Sequence, residues 1–139
     1  MEKSELKNIL PHREPMLLVD EAFIGEDGNA VGRYTVKGDE FFLQGHFPGN
    51  PVVPGVILCE MMAQTCAVLI SVKSEGKTPY FTSLDKVRFK QVVKPQDTVE
   101  FHCTIVRSKP PFYFAKGEGF VNGILSVEGE FSFALMPAR

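Results

Sequence analysis

Residues 45–64 read GHFPGNPVVPGVILCEMMAQ, and the rest of the chain is organised around them. They set one histidine, His46, on a loop rich in glycine and proline, and one glutamate, Glu60, in an otherwise apolar segment. Between residues 41 and 72 the only formally charged side chain is Glu60. A lone carboxyl group in greasy surroundings is costly unless it is paired or protonated. Residues 56–75 predict one long helix with apolar residues on every face, which must be covered all round. Pro54-Gly55 suits the start of that helix, where free backbone N–H groups point outward.

On the N-terminal side, residues 4–10 predict a short helix with Ser4 as N-cap and Pro11 as its stop. Residues 16–24 and 30–36 predict two strands joined at Asp27-Gly28. On the C-terminal side, residues 79–90, 99–106, 112–121 and 124–135 predict four more strands. In the second of these, Val99, Phe101, Cys103 and Ile105 alternate with Glu100, His102 and Thr104, a period of two. Lys109-Pro110-Pro111 and Asn122-Gly123 are turns. The order is short helix, two strands, long helix, four strands. That is an α+β domain in which one antiparallel sheet wraps one helix. A single sheet covers only part of a helix surface, so a partner subunit is expected to cover the remainder.

The 139 residues suit one domain, 1–139, with one core. Hydrophobic residues at 44% and charged residues at 23% are an ordinary globular composition. A net charge of -2 gives no support for nucleic-acid binding. Cys59, Cys66 and Cys103 form no CxxC pair and read as reduced thiols of a cytoplasmic protein. The charged N-terminus does not read as a signal peptide. The apolar run 56–72, interrupted by Glu60, Gln64, Thr65 and Ser71, does not read as a membrane span. Three histidines without ligand spacing make no metal case.

The chemistry centres on His46 and Glu60. A loop histidine can simply bond the backbone. Gly45 and Gly49 with Pro48 can equally hold the ring in one aim, and neutral imidazole is a general base. Glu60 can reach the helix surface, but Ile57, Met61, Ala63 and Ala67 surround it on the wheel. Burial favours its neutral form, which would have a proton to give. Gln64, one turn on, is a polar neighbour able to orient it. The N–H groups at Gly55 and Val56 are either a plain helix start or a place for oxygen that becomes negative.

These segments resemble the 3-hydroxyacyl-[acyl-carrier-protein] dehydratases of bacterial type II fatty acid synthesis, of the broad-chain-length kind. The resemblance rests on Leu10-Pro11-His12-Arg13 with Leu17-Leu18-Val19-Asp20, on QGHFPGNPVVPG at 44–55 with the helix motif at 60–64, and on LDKVRF at 84–89. It implies a hotdog fold, a strongly bent antiparallel sheet enclosing one long central helix. It implies a homodimer as catalytic unit, often three dimers in a hexamer, with His46 of one subunit beside Glu60 of the other. Gly55 N–H would meet the thioester carbonyl, with Phe47, Val56 and Gln64 at the substrate. A related isomerising branch has Asp where Glu60 stands, which argues for dehydration alone. The expected partner is an acidic acyl carrier protein, and no cofactor, membrane or nucleic acid is called for. Lys86, Arg88 and Lys90 could meet the carrier, or could be a solvated strand face. Departures from the family pattern are Glu14, Asn50 and Gln96, the last in place of a turn glycine. A hotdog acyl thioesterase, with Glu60 activating water, is the rival reading; a non-catalytic acyl-chain binder is a second.

Overall fold

The computed structural model describes residues 1–70 and 76–137. Its elements are α1 (Lys3–Leu6), β1 (Glu21–Ile24), β2 (Ala30–Thr35), a 3-10 turn (Phe41–Leu43), α2 (Gly55–Thr65), a second 3-10 turn (Cys66–Leu69), β3 (Lys77–Phe89), β4 (Thr98–Lys109), β5 (Phe112–Val121) and β6 (Ile124–Pro137). The six strands form one antiparallel sheet in the order β1-β2-β4-β5-β6-β3. This is the α+β, sheet-around-helix arrangement expected from the sequence, and the sheet does not close into a barrel.

Alternation built the sheet. Val99, Phe101 and Cys103 of β4 are buried in one core with Leu58, Met61 and Met62 of α2, and Cys103 Sγ donates to Met62 O at 3.5 Å. Asn122 and Gly123 both have positive φ, 51° and 78°, which is the backbone a two-residue hairpin between β5 and β6 requires. The helix lies very close to the sheet. A Cβ on Gly32 of β2 would collide with the Thr65 side chain, so only glycine lets α2 approach there. Leu58, Cys59, Met61, Met62, Gln64 and Thr65 of α2 are buried, while Val56 is 70% exposed and Ile57, Glu60 and Ala63 are half-buried. One protomer therefore covers only part of this apolar helix.

Several boundaries differ from the sequence expectation: β3 begins at Lys77, β4 runs on to Lys109, and the N-terminal part and the long helix differ more. The first helix is shorter, ending at Leu6, and its N-cap is Glu2, not Ser4. Residues 16–20 are irregular although Leu17, Leu18 and Val19 are buried, because the Leu18 N–H bonds a side chain from α2 (Gln64) at 2.8 Å in place of a strand. The long helix stops being α-helical at Thr65 and tightens into 3-10; the expected stretch 71–75 lies outside the described residues. Cys59, Cys66 and Cys103 are buried free thiols. No helix among the described residues is long and apolar enough to cross a membrane.

Candidate active site

His46 is placed by backbone geometry. Gly45 and Gly49 take positive φ, 79° and 74°, which side-chain-bearing residues rarely adopt. The turn between them is closed by Phe47 N–H to Asn50 O at 3.1 Å and Asn50 N–H to Phe47 O at 2.9 Å. Asn50 takes part in that turn through its backbone. The His46 ring is pinned at one nitrogen, with Nδ1 3.0 Å from Val52 O, and it stacks on Phe47 with centroids 4.2 Å apart. A carbonyl only accepts, so Nδ1 carries the proton of the neutral ring and Nε2 keeps its lone pair. The backbone bond of the plain reading thus produces the tautomer that a base needs.

Upstream, Glu40 anchors the entry to this loop. Its carboxylate accepts from Lys37 N–H at 2.9 Å, Gly38 N–H at 2.8 Å and the Tyr34 hydroxyl at 2.8 Å. Burial works against ionisation of Glu40, but these three donors outweigh it and hold the carboxyl below its ordinary range.

Glu60 is isolated in sequence but not in space. Its Oε2 accepts from Gln64 Nε2 at 2.8 Å and lies 3.2 Å from His12 Nε2. The Gln64 amide cannot be read the other way round. Its Oε1 accepts the Leu18 N–H at 2.8 Å and its Nε2 also donates to Met16 O at 2.8 Å. The 2%-exposed amide is thus fully committed to protein partners. The Glu60 side chain keeps 21% exposure, and it opens on a cavity of about 70 Å³ walled by apolar side chains including Ala63, Ala67, Phe81 and Phe133. His46 is not among the described residues lining it.

Gly55 opens α2, and a Cβ there would stand 2.6 Å from the ring of Phe89. A side chain at this helix start would therefore have to displace the Phe89 ring, which is itself exposed. Val56 and Phe47 are both exposed, at 70% and 53%. Lys86, Arg88 and Lys90 are exposed, but two of them face acids on β6. Lys86 lies 3.5 Å from Glu130 and Lys90 lies 4.0 Å from Glu128. Among the described residues Arg88 makes no ion pair within 4 Å. Glu14 pairs with Lys7 at 3.0 Å and is half exposed, so it points away from the cavity.

Sequence reasoning passed over His12 as a neighbour of Glu60, and Phe89 as a cover for Gly55. Nothing local signals either contact. His12 belonged to the opening motif, which was the one available hint.

A family model for the FabA-like domain matches residues 10–130. A protein of Caldicellulosiruptor saccharolyticus named 3-hydroxyacyl-[acyl-carrier-protein] dehydratase FabZ is 47% identical over 95% of this chain and 96% of its own length. A protein of the same name from Clostridium perfringens is 42% identical over 97% and 99%. Among solved structures, the dehydratase heterocomplex ApeI:P from Xenorhabdus doucetiae has a TM-score of 0.82 at 21% identity, covering 96% of this chain and 91% of that one. A hypothetical thioesterase from Streptococcus pneumoniae, solved with coenzyme A, has a TM-score of 0.62 at 14% identity, covering 86% and 87%; this likeness is one of fold alone. With the matched region running through both His46 and Glu60, the chain belongs to the FabA-like family, among the relatives named 3-hydroxyacyl-[acyl-carrier-protein] dehydratase FabZ.

Proposed function

We propose that this protein dehydrates (3R)-hydroxyacyl chains on acyl carrier protein to the trans-2-enoyl form, reversibly, in fatty acid elongation. The observation that carries the reading is the pair of oriented groups. His46 presents a free Nε2 lone pair, and Glu60 presents a carboxyl group whose second oxygen is held by Gln64. His46 Nε2 takes the α-proton. The electrons left behind form the carbon–carbon double bond as the β-carbon–oxygen bond breaks. Glu60 protonates the departing hydroxyl, which leaves as water. The Gly55 N–H receives the negative charge that builds on the thioester oxygen.

His46 does not line the cavity at Glu60 within one chain. The two meet across a homodimer, His46 of one protomer against Glu60 of the other. The uncovered side of α2 and the exposed Tyr80, Leu84 and Phe89 on the edge strand β3 favour such a partner. The cavity of one protomer is also far below the ~300 Å³ at which ligand pockets begin, so an acyl chain needs walls from both. The acidic carrier protein would meet Arg88, with Lys86 and Lys90 already shared with glutamates.

The test is incubation of the purified protein with a 3-hydroxyacyl thioester on carrier protein, with products identified by mass. Loss of one water with the thioester intact is expected. Free thiol would mean hydrolysis, and an unchanged substrate would mean binding alone. His46→Ala and Glu60→Gln should each lose at least the ~10²-fold typical of general acid–base groups. Near wild-type turnover in both variants would remove these residues from the mechanism.

A further inference from the structure

Two donors converge on Glu60 Oε2, and one of them, His12, is the loop histidine that ends the first segment of the chain. The Nε2–Oε2 distance is 3.2 Å, and each side chain is 21% exposed at the edge of an apolar cavity. His12 Nδ1 is buried and has no hydrogen-bond partner among the described residues. A proton on Nδ1 would have no acceptor there. The neutral ring with its proton on Nε2 leaves the fewest groups unpaired, and it makes His12 a donor to Glu60.

The loop around His12 is itself fixed. The Arg13 guanidinium donates from Nη1 to Leu10 O at 2.9 Å and to His12 O at 2.7 Å, and from Nη2 to Lys7 O at 3.2 Å. Met16 N–H closes onto Arg13 O at 2.8 Å, and Met16 O then receives Gln64 Nε2. Arg13 is spent on the backbone and holds His12 in place. Residues 10–18 thus grip Glu60 twice, directly through His12 and indirectly through Gln64. Both grips fall on the same oxygen. Among the described residues Glu60 Oε1 has no hydrogen bond.

We propose that His12 is a positioning residue for the dehydration: with Gln64 it clamps Glu60 Oε2, so that Oε1 is the oxygen turned to the substrate hydroxyl. This rests on the reading of Glu60 as the proton donor. A misaimed acid costs rate more than binding, since small displacements of a reacting group can cost ~10²-fold.

The experiment compares His12→Gln with His12→Asn. The Gln amide nitrogen can stand where imidazole Nε2 stands, while the Asn nitrogen stands nearer Nδ1 and falls short of Glu60. Both are polar and similar in demand on the fold. In steady-state dehydration of 3-hydroxyacyl-carrier protein, His12→Asn should lower kcat about tenfold or more with KM within about threefold, and His12→Gln should recover most of the loss. The same pair is made with Glu60→Gln. If His12 acts through Glu60, adding His12→Asn to that background should change the residual rate by less than about twofold. Equal kcat for the Gln and Asn variants overturns the proposal, as does an undiminished effect of His12→Asn in the Glu60→Gln background. Wild-type turnover in Glu60→Gln alone would sink the proton-donor reading itself, whereas an inactive Glu60→Gln beside a fully active His12→Asn would sink only the role of His12.

Discussion

The Gln64 amide is shared between the backbone at Leu18 and Met16 and the carboxylate of Glu60, each at 2.8 Å. One buried side chain thus joins an irregular N-terminal segment to the acid of the candidate site. That segment cannot be a strand there, because its Leu18 N–H is already taken. Gln64→Leu leaves the Leu18 N–H and Met16 C=O without their partner. A buried orphan costs about 1–3 kcal/mol and a part-buried one less; with the Leu18 N–H buried and the Met16 C=O part-buried, a total loss of ~2–4 kcal/mol of stability is expected in urea denaturation. A loss below 0.5 kcal/mol, on the order of an exposed substitution, would show that water replaces the amide.

Gly55 and Phe89 compete for one space. In Gly55→Ala the new methyl meets the Phe89 ring at 2.6 Å. Phe89 is 54% exposed and can swing away, so the cost should sit near the low end of overpacking, ~1 kcal/mol. Gly55→Ala/Phe89→Ala should regain that stability. If the double variant melts no higher than Gly55→Ala alone, the ring is not what restricts this position.

Gln96 holds a left-handed backbone, φ 79°, at a turn where Val36 O receives its N–H at 2.7 Å. Glycine adopts this conformation without the Cβ penalty of roughly 1–2 kcal/mol. Gln96→Gly forfeits a 3.1 Å side-chain bond to Lys37 O, which is exposed and weak. A net gain of about 0.5–1 kcal/mol is expected, seen as a thermal midpoint higher by ~2–4 °C. A lower midpoint would mean that the side-chain bond outweighs the strain.

Glu40 gives the fold an acid-sensitive anchor. Its carboxyl is held below its ordinary value of 4.5 by the Lys37 and Gly38 N–H groups and the Tyr34 hydroxyl, against the opposing effect of burial. The unfolded chain therefore takes up this proton first as pH falls. The contribution is fully present above about 4.5 and is lost as pH drops through the lower folded value. Glu40→Gln should be less stable than wild type at pH 7, and the gap should close in denaturation curves taken progressively below pH 4.5. A gap that stays constant across that range would place its origin outside this carboxylate.

Much of the architecture was legible before any coordinates. The period of two at residues 99–103, the Asn122-Gly123 hairpin and the Pro54-Gly55 helix start are decided by neighbours along the chain, and all three stand in the structure. The glycine-framed loop of His46 and the apolar surroundings of Glu60 along the chain were legible too, since a motif is a local pattern. What failed at the N-terminus failed for a reason of distance. Residues 16–19 are as apolar as a strand, yet their backbone partner is a side chain on α2.

By itself the sequence determined the element order, the hairpins, the glycine-framed histidine loop and a solitary acid in an apolar helix, because these depend on chain-neighbour sterics and on alternation. Only the tertiary structure decided that the acid has two donors, that Lys86 and Lys90 face Glu130 and Glu128, and that Phe89 covers Gly55. Those contacts join residues far apart in the chain. Their energies arise only after the sheet register and the helix packing have brought the partners together.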